Sequence, residues 1–248
     1  MTTAAAATGA SAAGAAETSS GRELYEWRTY RLRDASQQAR VHEYLQSAAL
    51  PAWQRLGVGP VGAFTEIGAD AGPSIHVLVT YPGAEAFAAA REALEQDPQY
   101  KQAAAAYLAA KRDAPAFERI DSSLLLAFAA APKITPPAAK PRVLELRTYE
   151  NHGEDRARAK VTMFNDGEIN IFPDCGFENV FFGETLVGAN LPNMKYMLAA
   201  PDMAANAAGW KTFIAHPDFV RMKNDPKYAD TEPKITKLFL VPTAYSQV

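Results

Sequence analysis

Residues 25–30 read YEWRTY and residues 144–149 read LELRTY. The two hexapeptides keep Glu, Arg, Thr and Tyr in step, and they stand 119 positions apart. At the same offset Gly57 corresponds to Gly176, Val61 to Val180, Pro73 to Pro192, Pro82 to Pro201 and Pro98 to Pro217, with no gap between them. A self-similar unit of this length is too long for a solenoid repeat, so the chain reads as two copies of one domain. The copies cover residues 21–131 and 142–248. Their linker, residues 132–141, lies within AAAPKITPPAAKP, residues 129–141, whose prolines and alanines mark a connector.

Periodicity gives both copies the same order of elements. Alternating strands are predicted near 23–31 and 142–150. In the first copy a helix follows over SQQARVHEYLQSAALPAWQRLG, where Ser36 caps the start and Val41, Tyr44, Leu45 and Ala48 form an apolar stripe. Pro51 interrupts that helix and Gly57 ends it. Strand pairs near 60–68 and 74–81 have counterparts near 179–187 and 193–199. A second helical region, about 83–113, breaks at Asp97-Pro98, as its partner breaks at His216-Pro217. The last strand, 119–128, matches one at 235–241 that arrives about four residues sooner. Each copy is therefore βαββαβ, the ferredoxin-like order, with a four-stranded antiparallel sheet and both helices on one face. The fold class is α+β. Two bare sheet faces in one chain close on each other as an intrachain α+β barrel, so one chain is the minimal folded unit, with a homo-oligomer through the outer helices still open to it.

Alternation along a strand sends Leu144, Leu146 and Thr148 to one face and Glu145, Arg147 and Tyr149 to the other. If the helices take the leucine face, two Glu-Arg-Tyr triplets, Glu26-Arg28-Tyr30 and Glu145-Arg147-Tyr149, face one interior. His76 and its counterpart Lys195 are assigned to that interior as well. Arg28, Tyr30, His76, Arg147, Tyr149 and Lys195 are thus the candidate ligand-binding residues. With His76 neutral, three cations meet Glu26 and Glu145, and the surplus cation calls for a bound anion or for a further carboxylate such as Glu66 or Glu184. Arginine forks and tyrosine hydroxyls suit a small anion or carboxylate. The same arginines also read as mutually paired structural charges.

Composition sets the outer bounds. With 25 basic and 28 acidic residues in 248, the net charge is −3, and no basic patch points to nucleic acid. One cysteine, Cys175, excludes an intrachain disulfide and reads as a buried, inert thiol. The four histidines lack ligand spacing, so neither a metal nor a cofactor is expected. His42 reads as a solvated helix residue, His152 as a turn residue and His216 as preceding a helix-starting proline. No GxSxG, GxGxxG or phosphate loop occurs. No apolar run is long enough to span a bilayer. Residues 1–20, nearly all Ala, Thr, Ser and Gly, read as a disordered tail. The chain is expected to be soluble, and cytoplasmic as written; it would be exported or periplasmic if that tail is the remnant of a signal peptide.

The ELRTY-type first strand, the Gly-Val/Phe turn into the second strand, the Asp/His-Pro break and the closing PKITKLFLVPTAYS resemble the NIPSNAP family over residues 23–245. The resemblance implies a dimeric α+β barrel fold, closed within one chain in tandem members. It implies no established catalytic mechanism. The reading that follows is a protein of unassigned biochemical function that binds a small anion or carboxylate in the barrel interior. Two other classes fit the same fold. One is a cofactor-free or heme-linked oxidoreductase or isomerase, which requires an open cavity faced by His76 or a tyrosine. The other is a protein-interaction module, which requires a closed interior.

Overall fold

The computed structural model describes residues 21–69, 71–138, 140 and 142–248. The tail read at residues 1–20 lies outside them. The first repeat runs β1 (Leu24–Arg31), α1 (Ala35–Tyr44), a π-helical turn (Leu45–Ala49), α2 (Leu50–Arg55), β2 (Val61–Glu66), β3 (Ile75–Tyr81), α3 (Ala84–Gln96), α4 (Pro98–Ala103), α5 (Ala105–Leu108) and β4 (Arg119–Ala127). The second runs β5 (Val143–Glu150), α6 (Glu154–Met163), a π-helical turn (Phe164–Glu168), α7 (Ile169–Asp174), β6 (Glu178–Val187), β7 (Asn193–Ala200), α8 (Met203–Ala215), α9 (Pro217–Lys223), a 3-10 turn (Pro226–Tyr228) and β8 (Lys234–Pro242). The 119-residue offset holds element by element up to α9 and is lost before the last strand.

Local chemistry accounts for the ends of these elements. The cap of α1 is Asp34, whose carboxylate accepts from the amides of Ser36 and Gln37, so the cap stands two residues before the expected Ser36. Pro51 does not break the helix. It falls at the start of α2, directly after the wide π turn. Gly57 (φ +68°) and Gly176 (φ +85°) adopt the left-handed conformation that ends these helices.

The eight strands form a closed antiparallel barrel in the order β1-β3-β2-β8-β5-β7-β6-β4. Each half contributes four neighbouring strands, and the seams are β2 with β8 and β4 with β6. The register decides which face is inside. Trp27 stands opposite Leu78 and Ser123, and Leu146 opposite Met197 and Leu238. Trp27, Leu78, Leu146, Met197 and Leu238 belong to one apolar cluster, with Tyr25, Phe64, Leu125, Leu144, Phe181 and Leu240, to which all eight strands contribute. That cluster is the barrel interior. Two further clusters lie between the sheet and the helices, one in each repeat.

This overturns the expected parity. The leucine face, Leu144 and Leu146, turns into the barrel, and the Glu-Arg-Tyr faces turn outward beneath the helices of their own repeat. The physical reason is in the pairing: Arg28 stands opposite Val77, and Arg147 opposite Tyr196, so both arginines share the face that packs on the helices. His76 stands opposite Thr29, and Lys195 opposite Thr148, on the inward face. The six candidate residues therefore do not share an interior, and the count of three cations against two carboxylates does not describe a single site.

The interior is filled by exchange across the two halves. Gly62 and Phe64 of β2 correspond to Phe181 and Gly183 of β6, so each inward position that is glycine in one repeat is phenylalanine in the other. A Cβ on Gly62 would lie 2.3 Å from Cζ of Phe64, and one on Gly183 would lie 3.0 Å from Cβ of Leu125. One ring fits at each level. We expect Gly62→Ala to destabilise the fold by about 1–3 kcal/mol through overpacking, with Phe64→Leu in the same chain restoring part of the loss. Urea unfolding of the single and double variants measures both effects.

Candidate functional site

In each repeat the outward Glu-Arg-Tyr triplet meets the helices, but the two meetings differ. In the first repeat Arg28 donates through Nη2 to Glu26 (2.7 Å), and Ser122 and Tyr81 also donate to that carboxylate (2.8 and 3.0 Å). Burial pushes the Glu26 carboxyl up, yet the bonds and charge of Arg28, with the two hydroxyls, outweigh it and hold the group below its ordinary value. Above the triplet the rings of Tyr44 and Tyr107 stack at 3.7 Å, and Phe117 packs edge-on to Tyr30 at 6.0 Å. These rings cover Tyr30, which is buried, while the Arg28 side chain stays about a quarter exposed.

In the second repeat Arg147 Nε donates to Glu145 (2.7 Å), and Nη1 reaches the Tyr149 hydroxyl (3.4 Å). From α8, Asn206 and the Trp210 indole both donate to the other oxygen of Glu145 (2.8 and 2.6 Å). The Arg147 guanidinium lies 3.3 Å from the centre of the Trp210 ring, a stacked cation–π contact. Among the described residues these bonds leave Arg147 Nη2 for another acceptor. Tyr196 donates to Tyr149 (2.8 Å), and burial pushes the Tyr149 hydroxyl up.

Over this second triplet lies a half-open cavity of about 760 Å³. Arg147, Tyr149 and Trp210 form part of its floor, Met203 and Ile214 line one side, and the segment Tyr228–Pro233 lines another. Its origin is a difference in chain length. In the first repeat the connection from α4 to β4 includes α5 and supplies Tyr107 and Phe117. In the second repeat, β8 begins four residues sooner than the 119-residue offset would place it, and among the described residues no stacked tyrosine reaches the triplet.

The cavity wall also carries an ion pair that sequence reading missed. Lys160 on α6 and Glu168 at the end of the π turn lie 3.2 Å apart, both buried. At the 119-residue offset they correspond to Val41 and Ala49, which sit in the apolar core of the first repeat. The available signal was that substitution of charge for apolar residues at matched helix positions. Burial pushes the Glu168 carboxyl above its ordinary value, and the charges of Lys160 and Arg147 oppose the shift without cancelling it.

The remaining candidates lie elsewhere. His76 Nε2 is 2.7 Å from Glu66 Oε1, and its Nδ1 is 3.0 Å from the Thr29 hydroxyl, inside the barrel. Burial pushes its imidazole pKa down against the pull of Glu66. Lys195 is also inside, 3.4 Å from the Thr148 hydroxyl. His42, read as solvated, is half-buried, with Nδ1 2.7 Å from the Tyr245 hydroxyl. Cys175 is a buried free thiol. No group of three or more His, Cys, Asp or Glu among the described residues could hold a metal ion, and no described helix is long and apolar enough to cross a membrane.

The NIPSNAP family profile matches residues 25–132 and again 144–247. The chain belongs to the NIPSNAP family. Among solved structures it is similar to a candidate monooxygenase from Fusobacterium nucleatum, at 11% identity and a TM-score of 0.59, over 90% of this chain and 93% of that one. A candidate monooxygenase from Lactobacillus acidophilus matches at 10% identity and a TM-score of 0.54, over 89% of this chain and 94% of that one. A NIPSNAP-like domain protein from Burkholderia xenovorans matches at 17% identity and a TM-score of 0.39, over 44% of this chain and 90% of that one. At these identities the likeness is one of fold. No curated protein sequence matches the chain.

The buried pair generates a test. We expect Lys160→Met to destabilise this NIPSNAP protein by about 3–5 kcal/mol, because it strands the Glu168 charge, and Lys160→Met with Glu168→Leu to recover most of the loss. A carboxyl held above its ordinary value of 4.5 in the folded chain retains more protons than the unfolded chain does between the two values. Its contribution is therefore fully present below 4.5 and is lost as pH rises through the folded value. Subtracting the stability–pH profile of Glu168→Gln from that of the wild type should leave a curve falling in that direction.

Proposed function

We propose that this protein binds a small molecule in the second-repeat cavity, and that the ligand pairs an apolar or aromatic body with a carboxylate or similar anionic head. Arg147 and Tyr149 anchor the head, and Met203, Ile214 and Trp210 line the path of the body. The observation that carries this reading is the asymmetry of the repeats. In one copy Tyr44, Tyr107 and Phe117 pack over the tyrosine of the Glu-Arg-Tyr triplet, and in the other the triplet borders a cavity within the size range of small-molecule sites. Arg28 and Tyr30 are then the structural counterparts of Arg147 and Tyr149.

Charge supports an anionic head. Arg147 is stacked on Trp210 and committed to Glu145 through Nε alone, and a guanidinium with a free edge suits bidentate partners. Glu168 lies 3.2 Å from Lys160, so its charge in the cavity wall is already paired. An open cavity of this size favours a ligand over a ligand-free interaction module. Of the two groups that a heme-linked or isomerase reading asked for, Tyr149 lines the cavity and His76 lies on the opposite face of the sheet.

The test uses 8-anilinonaphthalene-1-sulfonate, an aromatic anion. Wild type should enhance its fluorescence saturably and quench Trp210 in parallel. Ala207→Trp, which fills the cavity from α8, should abolish the response, and Arg147→Met should weaken it at least several-fold while leaving the far-UV spectrum unchanged. Equal binding by Ala207→Trp and wild type would place the probe elsewhere and reject the reading. Native mass spectrometry of the purified protein would show any retained ligand.

A further inference from the structure

Six inward side chains lie at one level near an open end of the barrel. On the first half, Thr29 stands between His76 and Asp121, and on the second, Thr148 stands between Lys195 and Thr236. The two trios are counterparts under the repeat, and their environments differ. Around His76 the space is packed: Trp27 stacks on His76 at 5.6 Å and on Phe64 at 6.0 Å, and Glu66 closes on the imidazole. Around Lys195 it is open. The residue opposite Lys195 on β6 is Gly183 in place of a phenylalanine, and a cavity of about 270 Å³ lies between Lys195, Thr148, Thr29, Ser123 and Thr236, with His76 and Asp121 also in its wall and Trp27, Leu146 and Leu238 beneath it.

The charges around this cavity are unequal. Asp121 is held by Arg31, with Nε 2.8 Å from Oδ2 and Nη2 2.9 Å from Oδ1. Glu66 is hydrogen-bonded to His76 at 2.7 Å, a partner that burial pushes toward its neutral form, and Glu150 is 3.3 Å from Lys234. Lys195 has only neutral oxygen neighbours, Thr148 Oγ1 and Asn193 Oδ1, each at 3.4 Å. Asn193 Oδ1 already accepts from Thr185 (2.7 Å). Among the described residues no carboxylate lies within ion-pair distance of Lys195; Lys237, which stands opposite outward-facing Arg147 in the strand register, borders both this cavity and the second-repeat cavity. A half-buried ammonium in a cavity ringed by hydroxyls, with Asp121 and Glu150 each paired to another cation, is the composition of an oxyanion site: one full charge and several donors able to turn toward it.

We propose that the open end of the barrel binds a small oxyanion, of phosphate or carboxylate size, between Lys195 and the hydroxyls of Thr148, Thr29, Ser123 and Thr236. The site is separate from the second-repeat cavity, because the wall of the barrel stands between them: Thr148 and Lys195 face inward where their neighbours Arg147 and Tyr196 face outward. Its volume admits a single small anion with a few waters and excludes anything as large as a nucleotide.

Inorganic phosphate and acetate are the probes, titrated against the full chain at constant ionic strength with chloride as the balancing ion. Wild type should show a saturable rise in melting temperature with at least one of them and, for phosphate, broadening of the 31P resonance. Lys195→Met should lose at least tenfold in affinity, Lys195→Arg should retain most of it, and Thr148→Val should lose several-fold. Ala207→Trp, filled in the other cavity, should respond as wild type does, so failure here is distinguishable from failure of the first reading. The absence of any saturable response in wild type to either anion would overturn the proposal, and so would equal affinity in Lys195→Met. If Lys195→Met does not fold, Thr148→Val and the 31P titration decide.

Discussion

Eight strands that close on one another enclose a volume fixed by strand number and tilt, and that volume must be filled once, with neither a void nor a second ring at the same level. In this chain the requirement is met by Gly62 and Phe64 in one half and Phe181 and Gly183 in the other. The stacked rings of Trp27 and Phe64, with Phe181 against Tyr25, depend on it. So does the open space beside Lys195, since Gly183 occupies the position that Phe64 fills in the other half. Both seams, β2 with β8 and β4 with β6, bring strands from different repeats together, so neither half can close its inner face alone.

Outside the barrel the two repeats have taken different courses from one plan. Each buries a Glu–Arg pair between sheet and helices, where an unpaired charge would be costly and a paired one costs far less. The first repeat packs tyrosines and a longer connection over Tyr30. The second adds Lys160 and Glu168, shortens the connection and leaves a cavity. A buried ion pair is weak evidence for stability, and apolar Val41 and Ala49 serve at the matched positions of the first repeat. The pair in the second repeat is therefore better explained by the cavity it borders.

The architecture was legible in the sequence because it rests on spacing. The 119-residue offset, the order of strands and helices, and the four-residue shortfall before the last strand follow from counting landmarks such as Gly57 and Gly176 or Pro98 and Pro217. The orientation of the sheet was not legible by the same means. Alternation separates two faces but does not say which is which when both are buried, and here helices cover one face while the other closes on itself. A usable signal was present: Ile75, Val77 and Val79 form the apolar face of β3, Arg28 stands opposite Val77, and His76 must then point away from Arg28. The role of Lys160 and Glu168 was hidden for another reason. On a helix of low overall hydropathy, charged residues read as a solvated face, and only their apolar counterparts in the first repeat mark them as buried.

The exchange of glycine for phenylalanine between β2 and β6 has a consequence for symmetry. A barrel built from two identical chains obeys an exact twofold axis, so every level must hold two copies of each inward residue. A pair of first repeats would set Phe64 against Phe64 at one level and Gly62 against Gly62 at the next, crowded above and hollow below. Only when the two halves differ in sequence, as they do within this chain, can a large residue in one be answered by a small residue in the other. The alternation of Phe and Gly thus breaks the symmetry between the halves and fits each to the other rather than to a copy of itself.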